Sequence, residues 1–267
     1  MRLLRGDGPP IRVGHRGAAL LAPENTLRSF EAALAAGAEA IEFDVLDLQD
    51  GSLVLAHSDD LLEVSHGAAA GTVRDRTLSE LREIVPDLPT LDDALAFLAA
   101  RPDVLVHVDL KLSTRLDEVA GALARHGVEE RTVVSSFHRA SLAAMARLAP
   151  RARIGFTYPE DRHGVARHRV LHPAIRVGTR GLRATLPRRV AGMAARAGAQ
   201  ALMLHHAVVS AAAVERAHAA GIAVWAWTVD LPDELERMHR AGVDAVITND
   251  PRILDSAPAE ALATLRP

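Results

Sequence analysis

The feature that most restricts what this chain can fold into is a regular alternation of two hydrophobic periods. Short apolar, β-branched runs lie at 11–14, 39–45, 104–110, 132–136, 152–157, 201–205, 222–228 and 244–248. Ala/Leu/Arg stretches with helical spacing separate them, among them 26–36, 91–100, 115–126, 138–148, 211–220 and 232–240. Strand-length apolar runs that each feed an amphipathic stretch are the pattern of a parallel sheet with helical crossovers. The boundary signals agree. Asn25 or Thr26, Thr90 and Ser210 stand at N-cap positions, and Gly37, Gly127, Gly221 and Gly242 follow helical runs. Eight such units predict an α/β fold, the (β/α)8 TIM barrel, with a doubly wound open sheet as the competitor. Barrels of about 250 residues fold as one unit, so we read 1–267 as a single barrel domain.

One connection interrupts the pattern. Between the second and third strands of the expected barrel the chain carries a possible extra strand at 53–57, then the polar, glycine-rich SHGAAAGTVRDRT. This insertion, about 58–89, reads as a structureless lid or specificity loop.

Composition removes several function classes. The chain has no cysteine, so disulfides, thiolate metal sites and a cysteine nucleophile are excluded. With 31 basic against 34 acidic residues and a net charge of −3, it offers no basic face for nucleic acid. No run of about 18 apolar residues predicts a membrane span, and the N-terminal MRLLRGDGPPIRVGHRG lacks the apolar core of a secretion signal. The expectation is a soluble cytoplasmic protein. Two rare residue types stand out. Lys111 is the only lysine among the 31 basic residues, and asparagine occurs twice, at Asn25 and Asn249. A solitary lysine in a chain that writes every other cation as arginine suggests a site suited to a compact ammonium.

Polar residues on the strands locate that site. Residues two apart on a strand share a face, so Glu42 and Asp44 point one way out of the apolar IEFDV. His107, Asp109 and Lys111 share a face of VHVDLK. Acids in buried strands are tolerated when they are paired or bind a metal. Three carboxylates near the carboxyl ends of two strands suggest a hard-cation site, because Mg²⁺ and Ca²⁺ take oxygen ligands; solvated strand ends or arginine pairs are the other reading. Barrel active sites form at that end. His15 and Arg16 end the first strand between Gly14 and Gly17, glycines that would let backbone approach a ligand. Glu24 reads as a helix cap. His57 ends the 53–57 run, and two histidines at an acidic, arginine-lined mouth suit general acid–base chemistry on an anionic substrate. His163, His168 and His172 lie in an Arg-rich stretch and read as surface residues.

Taken in order, these segments resemble the glycerophosphodiester phosphodiesterase family. The resemblance runs through HRG (15–17), PENT (23–26), E-x-D (42–44), the His57 segment, D-L-K (109–111), SSF (135–137), W-x-W-T-V (225–229) and GVDAVITNDP (242–251). It covers nearly the whole chain. It implies a (β/α)8 barrel that hydrolyses glycerophosphodiesters to sn-glycerol 3-phosphate and an alcohol with Mg²⁺ or Ca²⁺. Carried over position by position, it implies acid/base roles for His15 and His57. It implies metal ligation by Glu42, Asp44 and Asp109 with Glu24 near the site, and phosphate binding by Arg16 and Lys111. An aromatic wall of the pocket would fall on Trp225 or Trp227, which share a face. Two positions depart from the family pattern. Ser58 follows His57 where the family has Asp, and Asp109 stands where the family has Glu. The alternatives are a lysophospholipase D-type or phospholipase C-like enzyme on the same barrel, or a non-catalytic barrel that binds glycerol phosphate. The partner implied is a small molecule, and the sequence gives no oligomeric state.

Overall fold

The computed structural model describes residues 3–160 and 172–256. All eight apolar runs are strands: β1 (Ile11–Gly14), β2 (Ala40–Asp47), β4 (Leu105–Leu110), β5 (Thr132–Ser136), β6 (Arg153–Tyr158), β7 (Ala201–His205), β8 (Ala223–Trp227) and β9 (Ala245–Thr248). They pair in parallel in the order β1-β9-β8-β7-β6-β5-β4-β2, and β1 also pairs with β2. That last pairing closes the sheet into an eight-stranded barrel and removes the open-sheet alternative. The run at 53–57 contributes β3 (Leu53–Leu55), an antiparallel partner of β2 outside the barrel.

The crossovers are helices: α1 (Leu27–Ala35), α4 (Leu91–Ala99), α5 (Leu116–Arg125), α6 (Arg139–Leu148), α7 (His172–Thr185), α8 (Val190–Ala197), α9 (Ala211–His218) and α10 (Pro232–Ala241). Thr26 rather than Asn25 caps α1, accepting from the Ser29 amide, and Thr90 and Ser210 cap α4 and α9 as expected. Among the described residues no helix is long and apolar enough to cross a membrane. His163 and His168 lie outside the described residues.

The strand alternation divides the core. Ile41, Phe43 and Val45, with Val106, Val108 and Leu110, face outward and pack against Phe30, Leu95 and Leu98 of the helical layer. The inward set at the amino-terminal end of the barrel is Val13, Ala40, Val133, Ala201, Met203, Ala223, Trp225, Ala245 and Ile247. The alanines among them leave room for one large ring. Trp225 fills it, is 0% exposed, and points its indole N–H at the Leu3 carbonyl.

The insertion is not the structureless loop its composition suggested. It holds two short helices, α2 (Leu61–Val64) and α3 (Leu78–Ile84), capped by Asp60 and by a Thr77–Glu80 capping box. Beneath them Leu61, Val73, Leu81 and Leu88 bury against Leu46, Leu48, Val54 and Ala56. Apolar residues spaced too widely for a periodic pattern still form a satellite core under the segment, and this anchors His57 and Glu63 beside the barrel mouth.

Candidate active site

At the carboxyl end of the barrel the inward-facing positions turn polar, strand by strand. The β1 strand leads to His15, and β2 presents Glu42 and Asp44. From β4 come His107, Asp109 and Lys111. Ser135 lies on β5, Thr157 on β6, His205 on β7 and Trp227 on β8, and Asn249 follows β9. Asp44 pairs with Asp109 in the β2–β4 register and Glu42 with His107. Three of the carboxylates, Glu42, Asp44 and Asp109, are buried.

The 14–17 turn is built for its own packing. Arg16 and Gly17 are left-handed, with φ of 50° and 84°. A Cβ on Gly17 would lie 2.2 Å from Ser29 Oγ, and one on Gly14 would lie 2.2 Å from the Gly17 carbonyl oxygen. These glycines let the turn close onto α1. The result points the Arg16 amide at Glu42 Oε2 (2.8 Å) and its guanidinium at both Glu24 oxygens (2.8 Å each) and at Asp44 Oδ2 (3.2 Å). Glu24 therefore pairs with Arg16 and caps no helix.

Lys111 Nζ stands between two strands, 3.0 Å from Asp44 Oδ1 and in contact with Asp109 Oδ2. Burial would lower its pKa, but Asp109 and Asp44 outweigh burial and raise it, so the ammonium stays charged. Burial alone would raise Asp44, but Lys111 and Arg16 reverse that and hold its carboxyl well below the usual range. Glu42 goes the other way. Its burial and its repulsion by Asp44 and Asp109 push it well above the ordinary carboxylate value. Asp109 Oδ1 accepts from Ser135 Oγ and from Thr157 Oγ1 at 3.4 Å, and Ser135 Oγ in turn accepts from His107 Nε2 at 2.8 Å. The shorter Asp109 is thus held from behind by hydroxyls. Burial leaves His107 neutral, with a pKa near 4.

The two candidate catalytic histidines have different partners. His15 Nδ1 lies 2.7 Å from Asn249 Oδ1, and its Nε2 lies 4.0 Å from Glu42 Oε2. Burial and the neighbouring Arg16 lower its pKa to about 3. His57 Nδ1 lies 2.9 Å from Glu63 Oε1, while Ser58 Oγ donates to Glu63 Oε2 at 2.9 Å. The departure at Ser58 therefore supplies a second hydrogen bond to the carboxylate that orients His57. Hydrogen bonds from His57 and Ser58 outweigh burial and lower the Glu63 pKa. His57, Glu63 and Glu24 line a small cleft between the insertion and the 24–26 turn, with Leu55, Val85, Leu88 and Pro89 as its apolar wall.

Trp225 and Trp227 separate by depth. Trp225 is sealed in the barrel interior, edge-on to His107 at 5.5 Å, and does not reach the mouth, so the expected substrate contact does not fall on it. Trp227 stands two residues higher, with Phe137 at 6.1 Å and His205 at 5.1 Å, and its indole N–H donates to the Met203 carbonyl at 2.9 Å. Sequence reasoning assigned nothing to Glu63, Ser135, Asp230 or Asn249. Glu63, Ser135 and Asn249 each hold a candidate group, and Asp230 holds Asn249.

A divalent cation tests the donor set. Among the described residues no three acidic or histidine side chains form a ready metal cage, because Arg16 and Lys111 close over Glu24, Asp44 and Asp109. The expected ligands come together as donors, without an open cage between them. Their chemistry nonetheless fits a hard cation. Four carboxylates share two cations, an excess of negative charge that a dication relieves.

The glycerophosphoryl diester phosphodiesterase family model matches residues 15–253. The chain belongs to this family. A glycerophosphodiester phosphodiesterase of Caldanaerobacter subterraneus subsp. tengcongensis is 29% identical over 91% of this chain and 95% of its own. Among solved structures, a glycerophosphoryl diester phosphodiesterase of Silicibacter pomeroyi is 27% identical with a TM-score of 0.75, covering 98% of this chain and 96% of that one. An Oleispira antarctica phosphodiesterase solved with its product sn-glycerol-3-phosphate has the same fold at 21% identity, with a TM-score of 0.70 over 93% and 97% of the two chains. This member of the family gathers histidine, arginine and carboxylate side chains at one end of its barrel.

Proposed function

We propose that this phosphodiesterase hydrolyses small glycerophosphodiesters to sn-glycerol 3-phosphate and an alcohol within a single barrel domain. The observation that carries the reading is convergence. The chain's only lysine, Arg16, the carboxylates Glu42, Asp44 and Asp109, and both candidate histidines meet at the carboxyl end of the barrel. With a dication held by its carboxylates such a mouth would balance the charge of a phosphodiester, and its histidines supply a proton donor and a proton acceptor.

His15, neutral and with Nε2 turned to the carboxylates, takes the proton of the attacking oxygen. His57, backed by the Glu63 carboxylate, carries a proton to the departing alkoxide. The attacking oxygen is the neighbouring glycerol hydroxyl. The first step thus gives a cyclic phosphate and the free alcohol, and water reopens the ring with the two histidines in exchanged roles. Arg16 and Lys111 face the phosphoryl oxygens, where charge spreads in the transition state. Mg²⁺ or Ca²⁺ would be held by Glu42, Asp44 and Asp109 with Glu24 beside them; when bound it supplies Lewis-acid stabilisation of that charge.

The test is a turnover panel of glycerophosphocholine, glycerophosphoethanolamine, glycerophosphoglycerol and a lysolipid, each with Mg²⁺, Ca²⁺ or chelator. Release of glycerol 3-phosphate from the water-soluble diesters supports the proposal. Turnover of the lysolipid alone would move the assignment to a lysophospholipase D-type activity.

A further inference from the structure

Asn249, one of only two asparagines in the chain, lies between a carboxylate and His15. Asp230 Oδ2 accepts from Asn249 Nδ2 at 2.6 Å. Asp230 Oδ1 accepts from the Asn249 backbone N–H at 2.8 Å and from Thr248 Oγ1 at 3.1 Å. A carboxylate only accepts, so the amide NH₂ of Asn249 is committed to Asp230 and its carbonyl oxygen faces His15. That oxygen also only accepts. The hydrogen between them belongs to His15 Nδ1, which leaves Nε2 of the neutral ring as a bare acceptor on the Glu42 side.

We infer that Asn249, locked by Asp230, is the positioning residue that fixes the tautomer and ring direction of His15. The inference rests on His15 as the proton acceptor of the proposed reaction. The interposed amide has a physical rationale. In serine-hydrolase triads a carboxylate bonds the histidine directly. Here Glu42, Asp44 and Asp109 already crowd the mouth, and a further carboxylate against the His15 ring would add to their repulsion. A neutral amide transmits the orientation and leaves the charge one residue further out, on Asp230. Asn25 does comparable work on Asp44, donating Nδ2–H to Oδ2 at 3.0 Å and accepting the Asp44 amide at 3.1 Å. Both asparagines of the chain therefore orient groups of one site.

The experiment combines imidazole ¹⁵N NMR of histidine-labelled protein with kinetics on glycerophosphocholine. The His15 signals are assigned by their loss in His15→Gln. Wild-type protein should show Nδ1 protonated and Nε2 bare, and Asn249→Ala should lose that pattern. We expect kcat of Asn249→Ala to fall by about 30- to 100-fold with KM within about threefold, less than the roughly 10⁴-fold effect of a wrong tautomer in a serine protease. Asn249→Asp alone should be as impaired, because it faces Asp230. The paired swap Asn249→Asp with Asp230→Asn rebuilds an acceptor toward His15 and a donor between the two residues, and it should recover kcat to within about tenfold of wild type. A wild-type proton on Nε2, a kcat for Asn249→Ala within about twofold of wild type, or a swap that regains thermal stability without regaining kcat would each overturn the inference. If His15→Gln itself keeps turnover, it is the assignment of His15 as base that fails. If His15→Gln is inactive while Asn249→Ala is not impaired, only the role of Asn249 falls.

Discussion

Asp44 and Asp109 face each other in register across β2 and β4, and the ammonium of Lys111 bridges them. Two carboxylates this buried repel each other, and Lys111 is the cation that contacts both. The chain's single lysine is thus a compact charge wedged between acids, a position a planar fork does not fit. Lys111→Arg should lower kcat/KM at least tenfold, about 1.4 kcal/mol of transition-state stabilisation, with a small change in unfolding midpoint. Lys111→Met leaves Asp109 without its cation and Asp44 with Arg16 alone, and should also lower stability, by about 3 kcal/mol. Steady-state kinetics and thermal melts of the two variants check this, and wild-type kinetics for Lys111→Arg would refute the phosphate-binding role.

Metal dependence has a readout that does not pass through turnover. A cation that binds the folded carboxylate cluster and not the unfolded chain raises stability by RT ln(1 + [L]/Kd), about 2.7 kcal/mol at a hundredfold excess over Kd. Mg²⁺ or Ca²⁺ should raise the melting midpoint of chelator-treated protein, and Glu42→Gln should abolish most of that rise. Full activity after exhaustive chelation would remove the metal from the reaction.

The histidine roles separate by leaving group. His15→Ala and His57→Ala should each cost about 10²–10⁴ in kcat on glycerophosphocholine. On glycerol 3-(p-nitrophenyl) phosphate, whose p-nitrophenolate leaves without a proton, His57→Ala should retain most of the first-turnover release of p-nitrophenolate and His15→Ala should not. Glu63→Gln keeps a hydrogen-bond partner for His57 and should be milder than His57→Ala. Equal losses for the two histidine variants on both substrates would contradict the division of labour.

The barrel was legible because each strand is an apolar run with a helical stretch behind it, and all eight runs are strands. The site was legible where alternation was followed to the strand end, as at Glu42 and Asp44 or at His107, Asp109 and Lys111. The same parity also brings in Ser135, Thr157, His205 and Asn249. On those strands polar residues at the end of an apolar run have the look of a strand terminus. Glu63 could not be found this way, because it reaches His57 through α2, a helix of only four residues. The Thr77–Glu80 spacing did carry a capping-box signal for α3, inside a segment whose glycine content suggested a loop. Parity also put both tryptophans on one face and gave no measure of depth.

Depth makes the tryptophans a test. Trp225→Ala empties a fully buried volume in the barrel interior and should cost about 3–5 kcal/mol of stability. Trp227→Ala, at the mouth, should raise KM several-fold while lowering the melting midpoint much less. An unchanged KM for Trp227→Ala would leave both rings as packing.

The pH dependence of stability follows from the buried histidines. Burial holds His15 near 3 and both His107 and His205 near 4. In the unfolded chain they protonate near 6.5. As pH falls below that value the unfolded state binds protons that the folded state refuses, so these groups erode stability from about pH 6.5 down to about 4. Above pH 7 they contribute no slope. Glu42 opposes them, since its raised pKa lets the folded state take up a proton first, but His206 and His239, also lowered by burial, act with the other three. Asp44 and Glu63, both lowered, add to the loss at still lower pH. The melting midpoint should therefore be flat between pH 7 and 8 and fall between pH 6.5 and 4.5. His107→Gln keeps a donor for Ser135 without a titrating ring and should flatten that fall by up to about 1.4 kcal/mol per pH unit. A wild-type midpoint that rises on acidification through this window would show that the carboxylates, and not the histidines, dominate the linkage.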